Sequence, residues 1–374
     1  MVMKKREEEA EKSRHTEGVR SLCESGIKYV PTKYILPAAE RAQGDSNVPK
    51  KTNSWKLKVA TIDINQLLEP SSRHRVLESL SKACEQYGFF RVVNHGIPSE
   101  TLLRLMASAR RFFELPSSVR AKYMSNDIRS PVRYGTSFNQ LQDGVFYWRD
   151  FLKLNCHPMP AVLPFWPSSP PELREEAQSY AKQSKVLFLL LMEAILEILG
   201  LGSDTLQEFK EGTHMVIINC FPPCPEPELT LGMPPHSDYG FLTILLQDTN
   251  VKGLQVQCGD DWVTVDPIPD SLFVNVGDHL EIFSNGRYKS VLHRVFVNST
   301  KSRNSIASLH SLPFDSIVRP HPELVKGVEK LYEDTDFASF LNYMTTNETK
   351  QKRFLESRKV AKPSSTATFS IEYE

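Results

Sequence analysis

Leu231-Gly232-Met233-Pro234-Pro235-His236-Ser237-Asp238 lies within a run, Met215 to Leu312, where short apolar segments alternate with turn residues. Eight segments read as strands: Met215 to Phe221, Thr243 to Gln247, Leu254 to Cys258, Trp262 to Val265, Ser271 to Val276, Glu281 to Ser284, Val291 to Val297 and Ser305 to Leu312. Gly259-Asp260-Asp261, Gly277-Asp278 and Asn285-Gly286 supply turns between them. Eight short strands predict a two-sheet jelly roll of the cupin type. In an extended strand, residues i and i+2 share one face, so His236 and Asp238 can grip one metal from one strand end. His293, in Ser290-Val291-Leu292-His293-Arg294, must fold back from a distant strand. Two histidines and one carboxylate form the facial set that holds Fe(II) and leaves positions open. Arg303 follows His293 by ten residues, room for a strand to turn and present a cation in the same cavity. Its guanidinium fork matches a carboxylate with two parallel hydrogen bonds. A metal with open positions beside a carboxylate receptor points to a keto-acid cosubstrate.

Singly these signals are weak. An H-x-D tripeptide arises often by chance, a lone histidine is usually structural, and an arginine near a strand end is usually a surface charge. The set is specific because order, spacing and surroundings agree. Around it stand Asn219-Cys220-Phe221-Pro222-Pro223-Cys224-Pro225, Val274-Asn275-Val276-Gly277-Asp278, Ile282-Phe283-Ser284-Asn285-Gly286 and Leu292-His293-Arg294-Val295. On these motifs the chain, from about Val59 to about Leu355, resembles the plant 2-oxoglutarate- and Fe(II)-dependent dioxygenases.

That resemblance implies a mainly β fold with flanking helices (α+β), a double-stranded β-helix. It implies a catalytic metal centre of His236, Asp238 and His293 loaded with Fe(II). It also implies 2-oxoglutarate and dioxygen as cosubstrates, ascorbate as an optional reductant, and hydroxylation or desaturation of a small molecule. Arg303 and Ser305 would hold the distal carboxylate of 2-oxoglutarate. Family members pair them with a tyrosine two residues beyond an asparagine; here the asparagine is Asn219 and the later residue is Phe221. Phenylalanine loses a hydrogen bond worth roughly 1.5 to 3 kcal/mol to a carboxylate, so a weaker cosubstrate affinity is expected.

The nearest branch by resemblance is plant specialised metabolism, with flavanone 3-hydroxylases, flavonol synthases and anthocyanidin synthases. The last two carry a lysine two residues before the asparagine, and a phenylalanine and a glutamate four and six residues after the serine. Ile217, Leu309 and Ser311 stand there instead. An aliphatic wall suits a less polar scaffold, such as a gibberellin-type diterpenoid, and the chain is similar to a flavanone-hydroxylase-like group linked to gibberellin metabolism. Tyr134 and Phe138 are assigned to the pocket wall. Three alternatives stay open. They are a flavonoid dioxygenase, an oxidase of this fold that uses no 2-oxoglutarate (isopenicillin N synthase and the ethylene-forming enzyme also retain R-x-S), and a hormone binder on a catalytically dead fold.

Composition narrows the class. With 374 residues the chain can bury a large core. Lys plus Arg and Asp plus Glu are 45 each, which argues against nucleic-acid or membrane-surface partners. Six cysteines in a chain this long are not a disulfide framework, and prolines separate Cys220 from Cys224. The first residues lack a signal peptide's apolar core, and Glu193 and Glu197 interrupt Val186 to Leu199, so a monomer in the cytosol or nucleus is expected.

In chain order the reading is a mobile segment and linker over 1–57, an N-terminal dioxygenase region over 58–170 and a supporting helix over 171–210. The Fe(II)/2-oxoglutarate core follows over 211–315, then a C-terminal helix and tail over 316–374. Within these lie strands Val59 to Ile64 and Phe89 to Val93, helices from Arg75 to Tyr87 and from Ser99, which can cap it, and strand-like residues from Arg129 to Asn155. His95, before Gly96 and Pro98, shapes a turn.

Overall fold

The computed structural model describes residues 18–41, 59–136, 144–346 and 353–360; the Phe138 assignment lies outside them. Among these residues, twelve strands form two sheets. They are β1 (Thr61–Asp63), β2 (Phe89–Val93), β3 (Val132–Thr136), β4 (Asp150–Asn155), β5 (His214–Phe221), β6 (Met233–His236), β7 (Leu242–Gln247), β8 (Leu254–Cys258), β9 (Asp261–Thr264), β10 (Leu272–Val276), β11 (His293–Val295) and β12 (Arg303–His310). The larger sheet has the order β1-β2-β10-β7-β12-β5-β4-β3, and the smaller β6-β11-β8-β9. Strands distant in sequence pair throughout, as a jelly roll requires, and both sheets keep open edges. The fold is the expected mainly β jelly roll with flanking helices.

Alternation sorts the larger sheet into two surfaces. Leu152, Ile218, Ile244, Val274 and Ile306 join the main core with Leu80, Leu105 and Phe188. Those three come from helices Pro70–Gln86, Ser99–Glu114 and Pro171–Ile198, the last close to the expected supporting helix. The odd-numbered residues of β5, β7 and β12 face the smaller sheet and build the cavity.

The structure departs from the sequence reading in four places. Glu281 to Ser284 is not a strand: helix Asp278–Phe283 occupies that stretch. The chain crosses itself there, so closely that a Cβ on Gly277 would lie 2.1 Å from the Gly240 carbonyl oxygen, and the Asp278 N–H donates to the Asp238 carbonyl at 2.7 Å. Strand β6 was not among the eight segments; it carries Pro234 and Pro235 on the edge of the smaller sheet and ends at His236, so Asp238 lies on the loop that follows and not on the same strand. Ser99 makes no capping hydrogen bond, and Pro98 holds the cap position. Residues 18–41, placed in a mobile segment, instead pack on the body. The buried Asp150 carboxylate accepts the Val19 and Arg20 N–H groups at 2.7 and 2.9 Å, and Val19 and Leu22 are fully buried. His95 does shape a turn, accepting the Ile97 N–H at 3.1 Å through Nδ1. The six cysteines carry free thiols. No helix of the described residues is long and apolar enough to cross a membrane.

One cluster on the helix side has a consequence for stability. The Ser308 hydroxyl sits 2.8 Å from His214 Nε2, 2.9 Å from His310 Nε2 and 3.0 Å from Ser184 Oγ, while His310 stacks on Phe188. Burial, then Lys185, pushes His214 down to about 3, and burial pushes His279 down to about 3; His310 moves the same way. These rings stay neutral in the fold, whereas unfolded histidine takes up a proton near its ordinary value of about 6.5. Their contribution is therefore intact above about pH 6.5 and falls as the pH drops toward 3, by up to about 1.4 kcal/mol per pH unit for each ring. Urea midpoints of the protein should decline steadily below about pH 6.5. A flat profile would mean that the rings accept protons without unfolding.

Candidate active site

His236 ends β6 and His293 begins β11, and the two residues face each other directly in the register of the smaller sheet. Asp238 follows on the loop that the Gly240–Gly277 crossing pins. Its Oδ1 lies 4.0 Å from His236 Nε2 and 3.7 Å from His293 Nε2. One ligand atom from each of the three residues falls within 4.8 Å of the others. Both rings are oriented by their own backbone: His236 Nδ1–H donates to the Pro234 carbonyl at 2.8 Å, and His293 Nδ1–H to the Val291 carbonyl at 3.3 Å. That choice of tautomer leaves each Nε2 lone pair for a metal. Asn275 Nδ2 donates to Asp238 Oδ2 at 3.0 Å. Burial alone would raise Asp238, but the two histidines with Asn275 and Thr243 outweigh it and hold the carboxylate below its usual value. Burial, then the neighbouring His293, keeps His236 neutral. The His236 ring and the Asp238 carboxylate are thereby held unprotonated, and a donor atom from each of the three residues converges on one point.

Arg303 opens β12 opposite Phe221 and is 2% exposed. Its Nη2 donates to Gln247 Oε1 at 3.1 Å, while Nε and Nη1 have no partner among the described residues. Burial lowers this guanidinium to about 10, yet it stays charged near neutrality. Gly253 makes room for it, since a Cβ there would lie 2.7 Å from Arg303 Cδ. Two orphaned N–H donors on a buried cation ask for an anionic ligand. Ser305 and Asn219 are directly paired one step further into the same face, with Asn219 Oδ1 accepting from Arg149 at 3.2 Å. A cavity of about 240 Å³ connects Arg303, Ser305 and Asn219 to the three ligands.

Ile217 and Leu309 line this cavity as expected. Tyr134 does not: it is 1% exposed, donates to Asp150 at 2.9 Å and packs beside Phe112 and Phe113 on the helix side. The pocket face of β3 begins one residue earlier, at Arg133. Ser311 lies past the end of β12, where its hydroxyl meets His279 Nδ1 at 2.8 Å instead of the cavity. Phe221 is buried in an apolar cluster with Val19, Leu22, Trp148 and Val295, its ring 5.3 Å from the Arg303 guanidinium carbon. Sequence reading missed Thr243, Asn275, Arg133, Arg149 and Lys153 as pocket residues. Only the register of the sheet reveals them.

Residues 212–311 match the 2OG-Fe(II) oxygenase superfamily, and residues 59–177 match the N-terminal region described as non-haem dioxygenase in morphine synthesis. Protein DMR6-LIKE OXYGENASE 1 of Arabidopsis thaliana is 42% identical over 81% of this chain and 85% of its own length. Flavanone 3-dioxygenase 3 of Oryza sativa subsp. japonica is 41% identical over 77% of this chain and 89% of its own length. This chain belongs to the 2OG-Fe(II) oxygenase superfamily. Its coordinates superpose on the crystal structure of JOX2 in complex with 2OG, Fe and JA with a TM-score of 0.82 at 34% identity, covering 92% of this chain and 98% of that one.

The protein is thus a 2-oxoglutarate-dependent dioxygenase of the plant specialised-metabolism type, with Fe(II) and 2-oxoglutarate as its cofactor and cosubstrate. Its residues fit both. Two imidazoles and a carboxylate suit Fe(II), and the orphaned Arg303 donors suit the distal carboxylate of a keto diacid. Bound Fe(II) supplies dioxygen activation coupled to decarboxylation of 2-oxoglutarate; the protein orients the reactants and excludes water. Phe221→Tyr should tighten 2-oxoglutarate binding several-fold, as a charged acceptor beside Arg303 would take the new hydrogen bond. Titration of 2-oxoglutarate together with thermal melting checks this. Weaker binding with a lower Tm would place the ring tip against the apolar cluster.

Proposed function

We propose that this dioxygenase hydroxylates or desaturates a small plant metabolite with an apolar ring scaffold, of which a gibberellin-type diterpenoid is the best-suited kind. In this reading His236, Asp238 and His293 hold the metal. Arg303 and Ser305 hold the distal carboxylate of 2-oxoglutarate, flanked by Asn219 and Phe221, and the remaining cavity takes the prime substrate. The observation that carries the scaffold assignment is the wall facing the metal ligands. Met215, Ile217, Leu245 and Leu309 lie on the sheet, with Phe337 and Phe340 from helix Phe337–Thr346 across the opening. Phe340 stacks on Tyr239, next to Asp238 in the chain, at 3.9 Å, so this helix is placed to shield the metal side from water.

The test is anaerobic reconstitution with Fe(II) and 2-oxoglutarate, followed by exposure of a plant metabolite extract to air. Succinate should form with one metabolite ion that gains an oxygen or loses two hydrogens, and that ion should be a weakly polar polycycle. The similarity to a relative named flavanone 3-dioxygenase favours a second reading, a flavonoid substrate. Turnover of a flavanone in preference to every apolar polycycle in the extract would select it.

A further inference from the structure

We propose that the N-terminal segment, residues 19–36, positions the Arg303 guanidinium for 2-oxoglutarate by backing the Phe221 ring. Helix Val19–Glu24 has only six residues, too short to hold its shape unaided, so its order is borrowed from the body. The body supplies fixed anchors. Asp150 on β4 accepts the Val19 and Arg20 N–H groups, and also the Tyr134 hydroxyl at 2.9 Å. Arg120, fully buried, donates to Glu24 at 2.9 Å and to the Phe113 carbonyl at 2.8 Å. Further along, the Val30 N–H donates to Glu226 at 2.8 Å. The Phe146 N–H donates to the Lys33 carbonyl at 2.7 Å, and the Leu36 N–H to the Leu229 carbonyl at 2.9 Å.

These anchors gather apolar side chains around one ring. Val19, Leu22, Val30 and Tyr34 share a buried cluster with Phe221, Trp148 and Val295. Cys23 Sγ meets the Pro223 carbonyl at 3.6 Å, and Trp148 Nε1 donates to the Pro222 carbonyl at 3.2 Å, so both hold the backbone that follows Phe221. Tyr34 packs edge-to-face on Trp148 at 5.4 Å. The ring itself is closely held, since a Cβ on Gly232 would lie 2.6 Å from Phe221 Cδ1.

Phe221 stands directly opposite Arg303 in the sheet register, with its ring 5.3 Å from the guanidinium carbon. Gln247 holds Nη2, Gly253 gives the stem its close approach, and the ring closes a further flank. Nε and Nη1 have no partner among the described residues, so that bond and the packing set where they point. Phenylalanine has no hydroxyl with which to hold a carboxylate, so what it contributes here is its position. Loss of the backing would let the ring shift and water reach the buried cation, weakening the hydrogen bonds to the carboxylate. The inference rests on the reading of Arg303 as the receptor of the distal carboxylate.

The experiment is amide hydrogen exchange of residues 19–36 in anaerobic, Fe(II)-loaded full-length protein, with and without saturating 2-oxoglutarate, beside calorimetric titration of 2-oxoglutarate. Coupling is reciprocal, so a ligand that needs the backed ring must also hold the segment in place. Exchange at Val19 and Arg20 should slow about five-fold or more with 2-oxoglutarate. It should stay unchanged with pyruvate, a keto acid without the distal carboxylate. Leu22→Asp puts a carboxylate in the apolar cluster and detaches the segment, so 2-oxoglutarate should bind about five-fold or more weaker. Leu22→Met should keep the wild-type affinity. Leu105→Ala, a cavity in the main core, should lower Tm and leave the affinity unchanged. The inference is overturned if 2-oxoglutarate leaves the exchange unchanged, if pyruvate slows it equally, if detached Leu22→Asp binds 2-oxoglutarate like the wild type, or if Leu105→Ala weakens binding as much. The wild-type exchange comparison decides even where Leu22→Asp does not fold. Arg303→Lys tests the receptor reading by itself: unchanged 2-oxoglutarate affinity there overturns that reading and the inference with it. A loss there, beside no effect of the segment, overturns the inference alone.

Discussion

Alanine in place of His236, Asp238 or His293 should abolish turnover and Fe(II) binding while leaving the jelly roll folded. The three side chains meet at the cavity, not in the main core, and each ring donates to a carbonyl two residues back in the chain. Removing a ring therefore takes little packing from the sheets. Removing the carboxylate has a second effect, since Asn275 Nδ2 loses its acceptor at 3.0 Å. The Asp238 variant should thus be the least stable of the three, by about 1 to 3 kcal/mol for the stranded donor. Anaerobic Fe(II) titration and Tm, measured on the same preparations, check both parts. Undiminished iron affinity in any one variant would take that residue out of the ligand set.

Arg303→Lys should raise the KM for 2-oxoglutarate roughly ten- to hundred-fold, the equivalent of losing a charge-assisted hydrogen bond. The charge survives the substitution, but the fork does not. Two N–H groups of Arg303, Nε and Nη1, are free of partners among the described residues, whereas Nη2 is tied to Gln247. A lysine offers one rotatable ammonium in place of that geometry. Its shorter head also leaves the Phe221 ring, which now lies 5.3 Å from the guanidinium carbon. The rate at saturating 2-oxoglutarate should change far less than KM. An unchanged KM would mean that the keto acid is anchored elsewhere.

Much of the candidate metal site was legible because its signal is local. Arg303 and Ser305 alternate on one strand, so period-two geometry places that pair without knowledge of the rest; His236 and Asp238 are close in the chain, but β6 ends at His236 and the loop pinned by the Gly240–Gly277 crossing sets Asp238. The pocket was less legible, for the same physical reason turned around. Tyr134 and Arg133 differ by one position, and one position in a strand is the difference between the helix-side core and the cavity. An aromatic residue looked like a pocket wall; the sheet register gave that place to the cation beside it.

Taken alone, the chain pointed to the jelly roll and singled out His236, Asp238 and His293 as candidate metal donors and Arg303 as a candidate carboxylate receptor, since strand alternation and ligand chemistry are properties of short segments. Tertiary structure decided the rest. It turned residues 278–283 into a helix where two backbone segments cross at glycines. It brought Asn275 from β10 and Thr243 from β7 to Asp238, and set Arg133 opposite Lys153 at the far end of the cavity. Those neighbours are set by which strands pair and in what register, and pairing between distant strands is settled by burial of the whole sheet rather than by any segment in it.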